Sequence, residues 1–398
     1  MYLDLLRRRN PDLIRAAVSL HQAGELLANT YLLDLDAFEA NTRAVVRAAD
    51  AAGLRLYAMT KQFGRNPDAA GAIVAGGIPK GVAVDIACME ALLRGPMAVG
   101  HAGHLVQPHR GAERAVIGAA PEVVTVFSEA IAERLSAVAV AAGREQGVLL
   151  RVVGPDDHFY FGHGGGFPID RIEAVARTID GLPGLRVDGV TTFPALLADA
   201  AGRRIVTTPN FATLRRAADR LRDAGFDVRQ VNAPGTTSAG TMAILAEGGA
   251  THAEPGNGLH GTTPLHAWDA AAPEAPAVAY ISEVSHLDGD TAYAFGAGLY
   301  VDKVLGDYRM RALVGRDEAI VGQAWPAEMA PDGAIHYYAK VHLAPGHGVR
   351  VGDTVVFCFR PQVFVTRGRS QGVAGIGTGR PELRRRYDGE ARVVEGLS

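Results

Sequence analysis

Short apolar runs recur along this chain at residues 54–60, 81–87, 97–106, 122–127, 147–153, 187–193, 228–232 and 250–254, separated mostly by Ala-rich stretches of helical period such as Ala130 to Ala142 and Phe211 to Ala224. Runs that are apolar on both faces and alternate with helices imply parallel strands covered by helices. Eight such units within about 220 residues have the size and count of a (β/α)8 barrel. An open doubly wound sheet is the competing arrangement. Its dinucleotide signature is missing, because Gly162-His163-Gly164-Gly165-Gly166 is not a G-x-G-x-x-G turn opening the first helix.

The texture changes after Pro264. Residues 277–282, 291–295, 336–341 and 354–359 are β-rich, with Gly, Pro and Asp turns between them. The expected organisation is therefore α/β: a helical segment over 1–30, a TIM-like (β/α)8 barrel over 31–265 and an all-β domain over 266–398. The 398 residues suit a barrel plus a smaller partner. Leu3, Leu5, Leu6, Leu13, Ile14, Val18 and Leu26 form an apolar stripe along the first segment, which must bury itself. Tyr31 to Leu35 reads as a short strand, and Asp36 caps a helix through Asp50. The charged end, from Arg380, is expected to fray.

Lys+Arg 40 against Asp+Glu 43 gives a formal charge of −3, which offers no basic field for nucleic acid and points to a small-molecule enzyme. Two cysteines, Cys88 and Cys358, exclude a disulfide framework and leave no structural-zinc spacing. No apolar stretch approaches a membrane span, and the start lacks a secretory apolar segment. The cytoplasm is the expected compartment.

In a parallel barrel, functional residues lie at the C-terminal ends of the strands. Here those ends are polar: Thr60-Lys61-Gln62, Asp85, His104 with Gln107, Ser128, Arg151, Thr192-Phe193, Asn232 with Thr236-Thr237-Ser238, and Glu254. A lysine at the mouth of a buried strand can be desolvated and made nucleophilic. Closely spaced glycines, as in Glu254-Pro255-Gly256-Asn257-Gly258-Leu259-His260-Gly261, can present backbone N–H groups to a phosphate. An amine together with a phosphate cradle suggests an aldehyde cofactor.

Ala58-Met59-Thr60-Lys61, Asn232 to Ser238 and Glu254 to Gly261 together resemble the alanine-racemase-like (fold type III) pyridoxal-phosphate enzymes, in which a β/α barrel is joined to a β domain. Met59 to Gln62, Gly64-Arg65-Asn66-Pro67, Gly103 to Pro108 and the Glu-Pro-Gly loop look most like the YhfX-type subgroup. The resemblance implies pyridoxal 5'-phosphate as cofactor, a Schiff base on Lys61, and a homodimer with shared active sites. It implies a phosphate held by Gly256, Asn257 and Gly258 with a hydroxyl of Thr236, Thr237 or Ser238. Glu254 stands where alanine racemases have an arginine, and a carboxylate there holds the pyridine nitrogen protonated. That supports carbanion chemistry without saying which bond breaks.

Phe193 matches the position of a ring-stacking histidine, with core packing as its alternative. Arg151 matches a strand-five lysine and either contacts the cofactor's phenolic oxygen or substrate carboxylate, or makes an ordinary salt bridge. His104 and Gln107 are placed in the pocket lining, or else are satisfied core polar groups. A two-base racemase needs a second acid/base on the opposite face, and the resemblance places a tyrosine there. Tyr300 is the choice, with Tyr293 and Tyr308 behind it. Cys358 is the decarboxylase-like alternative, or else a buried small hydrophobe. Gly352-Asp353 is not followed by the His-x-Cys pair of the metal-dependent branch, so no metal is expected. Three functions follow: an amino-acid racemase using Lys61 and Tyr300, a decarboxylase or metal-free lyase, and a pyridoxal-phosphate carrier without turnover.

Overall fold

The structure is a computed structural model describing residues 1–301, 309–331 and 333–395; Tyr308 lies outside the described residues. The chain divides into two compact units.

One unit comprises residues 42–60 and 73–258. Its core is a ring of parallel strands: Arg55–Leu56, His252–Ala253, Gln230–Asn232, Leu185–Thr191, Gln146–Val153, Val123–Val126, Ala98–Ala102 and Lys80–Ala83, each paired to the next. A parallel bridge between Ala58 and Gly81 closes the ring. All eight apolar runs of the sequence became strands. Val123–Val126 is buried at every position and Gln146–Val153 at all but the last, as expected where barrel side chains fill one face and helices cover the other. A hairpin of Leu196–Asp199 with Arg204–Thr207 had no counterpart in the sequence reading, because its half-exposed residues lack a clean alternation.

The other unit comprises residues 1–41, 61–72 and 259–398. Val278–Asp288, Thr291–Phe295, Tyr338–His342, Ala324–Glu328, Arg311–Gly315 and Thr354–Phe357 close into an antiparallel barrel, with the last pairing back onto the first. Thr30–Asp34, read above as part of the barrel region, pairs here instead, antiparallel to Leu33's partner strand from Val278 and parallel to Arg369–Val373. Its five residues are all buried, so it behaves as a central strand of this second sheet. Helices Tyr2–Arg9 and Pro11–Gln22 bury the predicted stripe against Ala279, Ile281, Leu313, Val356 and Cys358.

The expected fraying beyond Arg380 is not what the structure shows. Glu382–Tyr387 is a strand paired to Arg369–Ala374. Its arginines and Glu382 are the charges that protect a sheet edge, and they masked the strand in the sequence. No helix among the described residues is long and apolar enough to cross a membrane.

Candidate active site

In the parallel-stranded unit, the last strand stops at Ala253 because Pro255 offers no N–H for a ladder; its carbonyl instead accepts from Met59 N at 2.8 Å. Glu254 is left at the strand end with its side chain fully buried. Its Oε1 accepts from Asn232 Nδ2 at 2.7 Å and faces His101 Nδ1 at 2.5 Å. Its Oε2 has no hydrogen-bond partner among the described residues and lies 3.7 Å from His104 Nε2. Burial by itself raises a carboxylate's pKa. The charges of His104 and His101 and the hydrogen bonds from His101 and Asn232 outweigh that, holding Glu254 down at about 2. The carboxylate is ionised at neutral pH.

Three further buried hydroxyls at strand ends have no hydrogen-bond partner among the described residues: Thr60 Oγ1, Thr192 Oγ1 and Ser238 Oγ. A buried polar atom left unpaired costs about 1–3 kcal/mol. Four such atoms at the same ends of the strands mark a place built for a polar ligand.

On the side of His104, Phe193 meets the edge of that ring at 5.7 Å and 89°, with Tyr160 at 5.7 Å and His163 at 5.8 Å. The half-buried Phe193 thus belongs to an aromatic wall rather than to the core. Arg151 is buried, over the Phe127 ring at 4.7 Å, and donates to the carbonyls of Gly165 at 3.0 Å and His163 at 2.6 Å. Among the described residues no carboxylate forms an ion pair with it, so the ordinary salt bridge is not seen there. Burial draws its pKa down to about 10, with Asp157 acting the other way. Gln107 is engaged elsewhere: it donates to Gly103 O and Thr125 O and accepts from Phe127 N. It takes the satisfied-polar role of its two alternatives, bracing a loop.

At the adjacent strand end, Gly258 packs so closely on Thr237 and Ser238 that a Cβ there would lie 2.4 Å from Thr237 O. Thr237 Oγ1 donates to Gly235 O at 2.5 Å, and Thr241 Oγ1 accepts from Ser238 N. Thr237, Ser238, Gly256 and Asn257 are buried and Thr236 half-buried. Gly258 thus holds its loop against Thr237 and Ser238, and the Ser238 hydroxyl, with no hydrogen-bond partner among the described residues, can donate to a phosphate. The open Glu254 Oε2 fits a protonated ring nitrogen.

The remaining candidates belong to the antiparallel unit. Lys61 follows Thr60 and opens a 3-10 turn, Lys61–Phe63, with Nζ 5.1 Å from the centre of the Phe364 ring. Gly64, at φ +75°, then turns the chain where a Cβ would press on Val363 at 3.0 Å. Asn66 donates to Ser370 Oγ and caps the helix from Pro67 through Ala69 N. Tyr300 is 46% exposed, after a turn anchored where Tyr31 OH donates to Gly298 O and Tyr280 OH accepts from Gly298 N. Cys358 is buried in the apolar cluster beneath the N-terminal helices, where burial pushes its thiol up to about 12. It takes the packing role of its two alternatives.

Sequence reasoning missed His101 and Thr125 and gave Asn232 no role beyond ending a strand. The available signal was a histidine within an otherwise small and apolar strand. Nor did it foresee that His101, His104 and Glu254 bring ligand-capable atoms within 4.8 Å of one another, a spacing that could hold a metal. His342 pairs with Glu328 at 3.2 Å, and His347 Nδ1 accepts from Val349 N.

Residues 33–264 match the model of the alanine racemase N-terminal domain, and residues 279–383 that of the YhfX-like C-terminal domain. Uncharacterized protein YhfX of Escherichia coli (strain K12) is 38% identical over 390 residues, covering 98% of each chain. D-threonine aldolase from Filomicrobium marinum is similar in structure, with a TM-score of 0.67 and 18% identity over 92% of this chain and 96% of its own. D-threo-3-hydroxyaspartate dehydratase from Delftia sp. HT23 gives 0.66 and 18% over 89% and 96%. Alanine racemase from Corynebacterium glutamicum gives 0.59 and 19% over 82% and 88%. At these identities the solved structures establish the shared fold.

Proposed function

The chain belongs to the alanine-racemase family of fold-type III pyridoxal-phosphate enzymes, close to YhfX, and from that premise we propose that it is a lyase acting on a small amino acid. Its cofactor is pyridoxal 5'-phosphate, which when bound supplies an electron sink for the pair left at Cα. The observation carrying this reading is Glu254: a buried carboxylate kept ionised, with Oε2 open to accept an N–H. A group held so keeps a proton on the ring nitrogen and favours reactions that pass through a stabilised carbanion, lyase and racemase alike, and between these the likeness in fold to an aldolase and a dehydratase supports the lyase.

Lys61 is assigned as the amine that holds the cofactor's aldehyde carbon and moves the proton at Cα. Ser238 with the backbone at Gly256 to Gly258 binds the phosphate, assisted by Thr236, Thr237 and Asn257. Phe193 stacks on the ring, and His104 and Arg151 face the substrate. Similarity in fold to an aldolase and a dehydratase acting on D-amino acids with a 3-hydroxy group makes that class the first to test. The expected setting is a cytoplasmic homodimer.

Racemisation is the second reading, supported by the half-exposed Tyr300 phenol on its anchored turn. Incubation with D- and L-amino acids in deuterium oxide separates the two. Aldehyde, oxo acid or carbon dioxide released from one enantiomer is the expected result. Deuterium entering Cα of both enantiomers without bond cleavage would replace the lyase with the racemase.

A further inference from the structure

We infer that His101 is a positioning residue of this site, which with Thr125 behind it fixes the orientation of Glu254 and so presents Oε2 as the free acceptor. The inference rests on the reading that Glu254 meets the cofactor's ring nitrogen.

Strand Ala98–Ala102 pairs His101 with Val123 and Ala102 with Val124. That register sets Thr125, two residues beyond Val123, within reach of the imidazole. His101 is wholly buried, with Nδ1 2.5 Å from Glu254 Oε1 and Nε2 2.5 Å from Thr125 Oγ1. Tyr57 and His104 flank the ring at 6.2 and 5.1 Å.

The proton inventory follows from the acceptors. An ionised Glu254 cannot donate, so Nδ1 carries the proton and gives it to Oε1. The hydroxyl of Thr125 meets Nε2 from the other side, so both ring nitrogens have a partner. Asn232 Nδ2 supplies the second donor to Oε1. With two donors on Oε1, the carboxylate is pinned in one orientation.

Removing His101 leaves a fully buried carboxylate with a single donor. The inexpensive response is to take up a proton. A protonated Glu254 donates to the ring nitrogen where it should accept, and the electron sink is weakened.

The same residues could be read as a metal site. Metal–ligand bonds of about 2.0–2.2 Å would put Nδ1 and Oε1 at an angle of only about 75° at the metal, far from tetrahedral, so a metal would have to take Oε2, and the zinc arm of the test addresses that case. The short contact is that of a charge-assisted hydrogen bond.

The test is the 15N chemical shift of ring-labelled pyridoxal phosphate bound to the full chain, in wild type, Glu254→Gln, His101→Phe and His101→Asn. A protonated nitrogen is expected in wild type, and its loss in Glu254→Gln and in His101→Phe. His101→Asn restores a donor toward Oε1 and should recover it. His101→Phe should also lower kcat about tenfold or more, the cost of one hydrogen bond to a charged group, with KM and cofactor affinity within about threefold.

If Glu254→Gln leaves the nitrogen as in wild type, the underlying reading of Glu254 fails. If Glu254→Gln loses the proton while His101→Phe keeps it, the role of His101 is overturned and the reading of Glu254 stands. Should His101→Phe not fold, Thr125→Val takes its place, with a partial loss expected and an unmoved nitrogen counting against the inference. Zinc added at one equivalent and retained by wild type but not by His101→Asn would also overturn it.

Discussion

The two barrels of this protein both bury apolar and polar side chains, and they differ in where the polar ones gather. The antiparallel unit fills its core with Tyr31, Tyr280, Ile281, Val356 and Phe357, and even its thiol, Cys358, is packed as a hydrophobe. The parallel unit buries His101, Asn232, Thr125 and Glu254 at one end of its strands, and Tyr57, Gln230 and His252 along the same strands. Packed apolar side chains stabilise without direction. Buried polar groups contribute only when every partner is in place, and Glu254 Oε2, Thr60, Thr192 and Ser238 lack theirs among the described residues. Atoms without hydrogen-bond partners among the described residues occur in the antiparallel unit too, Thr30 Oγ1 and His260 Nε2 among them, so the comparison teaches that their gathering at one set of strand ends, and not their presence, marks the place for a ligand.

That contrast can be broken most forcefully in the apolar unit. Phe357→Ala should cost about 3–5 kcal/mol of stability, read by urea denaturation, without altering the cofactor's spectrum once the protein is bound. A spectral change at unchanged stability would contradict the division. Glu254→Gln should do the reverse, lowering kcat about a hundredfold with a modest change in the denaturation midpoint.

Acid offers a third perturbation. Burial, with Arg55 and His101 adding to it against Glu122 and Glu254, lowers His252 from 6.5 to about 4. Between those values the unfolded chain binds more protons than the folded one. The stabilisation is complete above about pH 6.5 and fades as pH falls toward 4, by at most about 3 kcal/mol. His252→Gln should flatten the fall between pH 7 and 5, and an unchanged slope would exclude His252 as its source. The smallest effect belongs to Cys358→Ala, where kcat should stay within about twofold. A large loss would restore the decarboxylase-like role for this cysteine.

Much of this was legible in the sequence. The eight apolar runs fixed the parallel barrel because period and length survive without context, and Lys61, Glu254 and Gly258 stood out as polar or flexible residues where strands end. Thr30–Asp34 was legible as a strand, but its sheet was not, because its parallel neighbour, Arg369–Ala374, is more than 300 residues away in sequence, and pairing over that distance leaves no local trace. Glu382–Tyr387 was hidden by the charges that suit an edge strand. His101 escaped because one histidine in an apolar strand looks like filler until Glu254 Oε1 is seen 2.5 Å away.

The most direct measurement is borohydride reduction of the protein incubated with pyridoxal phosphate, followed by peptide mapping. A single pyridoxyl group on Lys61, absent in Lys61→Ala, is the predicted result. Reduction that leaves Lys61 unmodified, or labels another lysine in its place, would contradict the central claim that this lysine and Glu254 serve one cofactor.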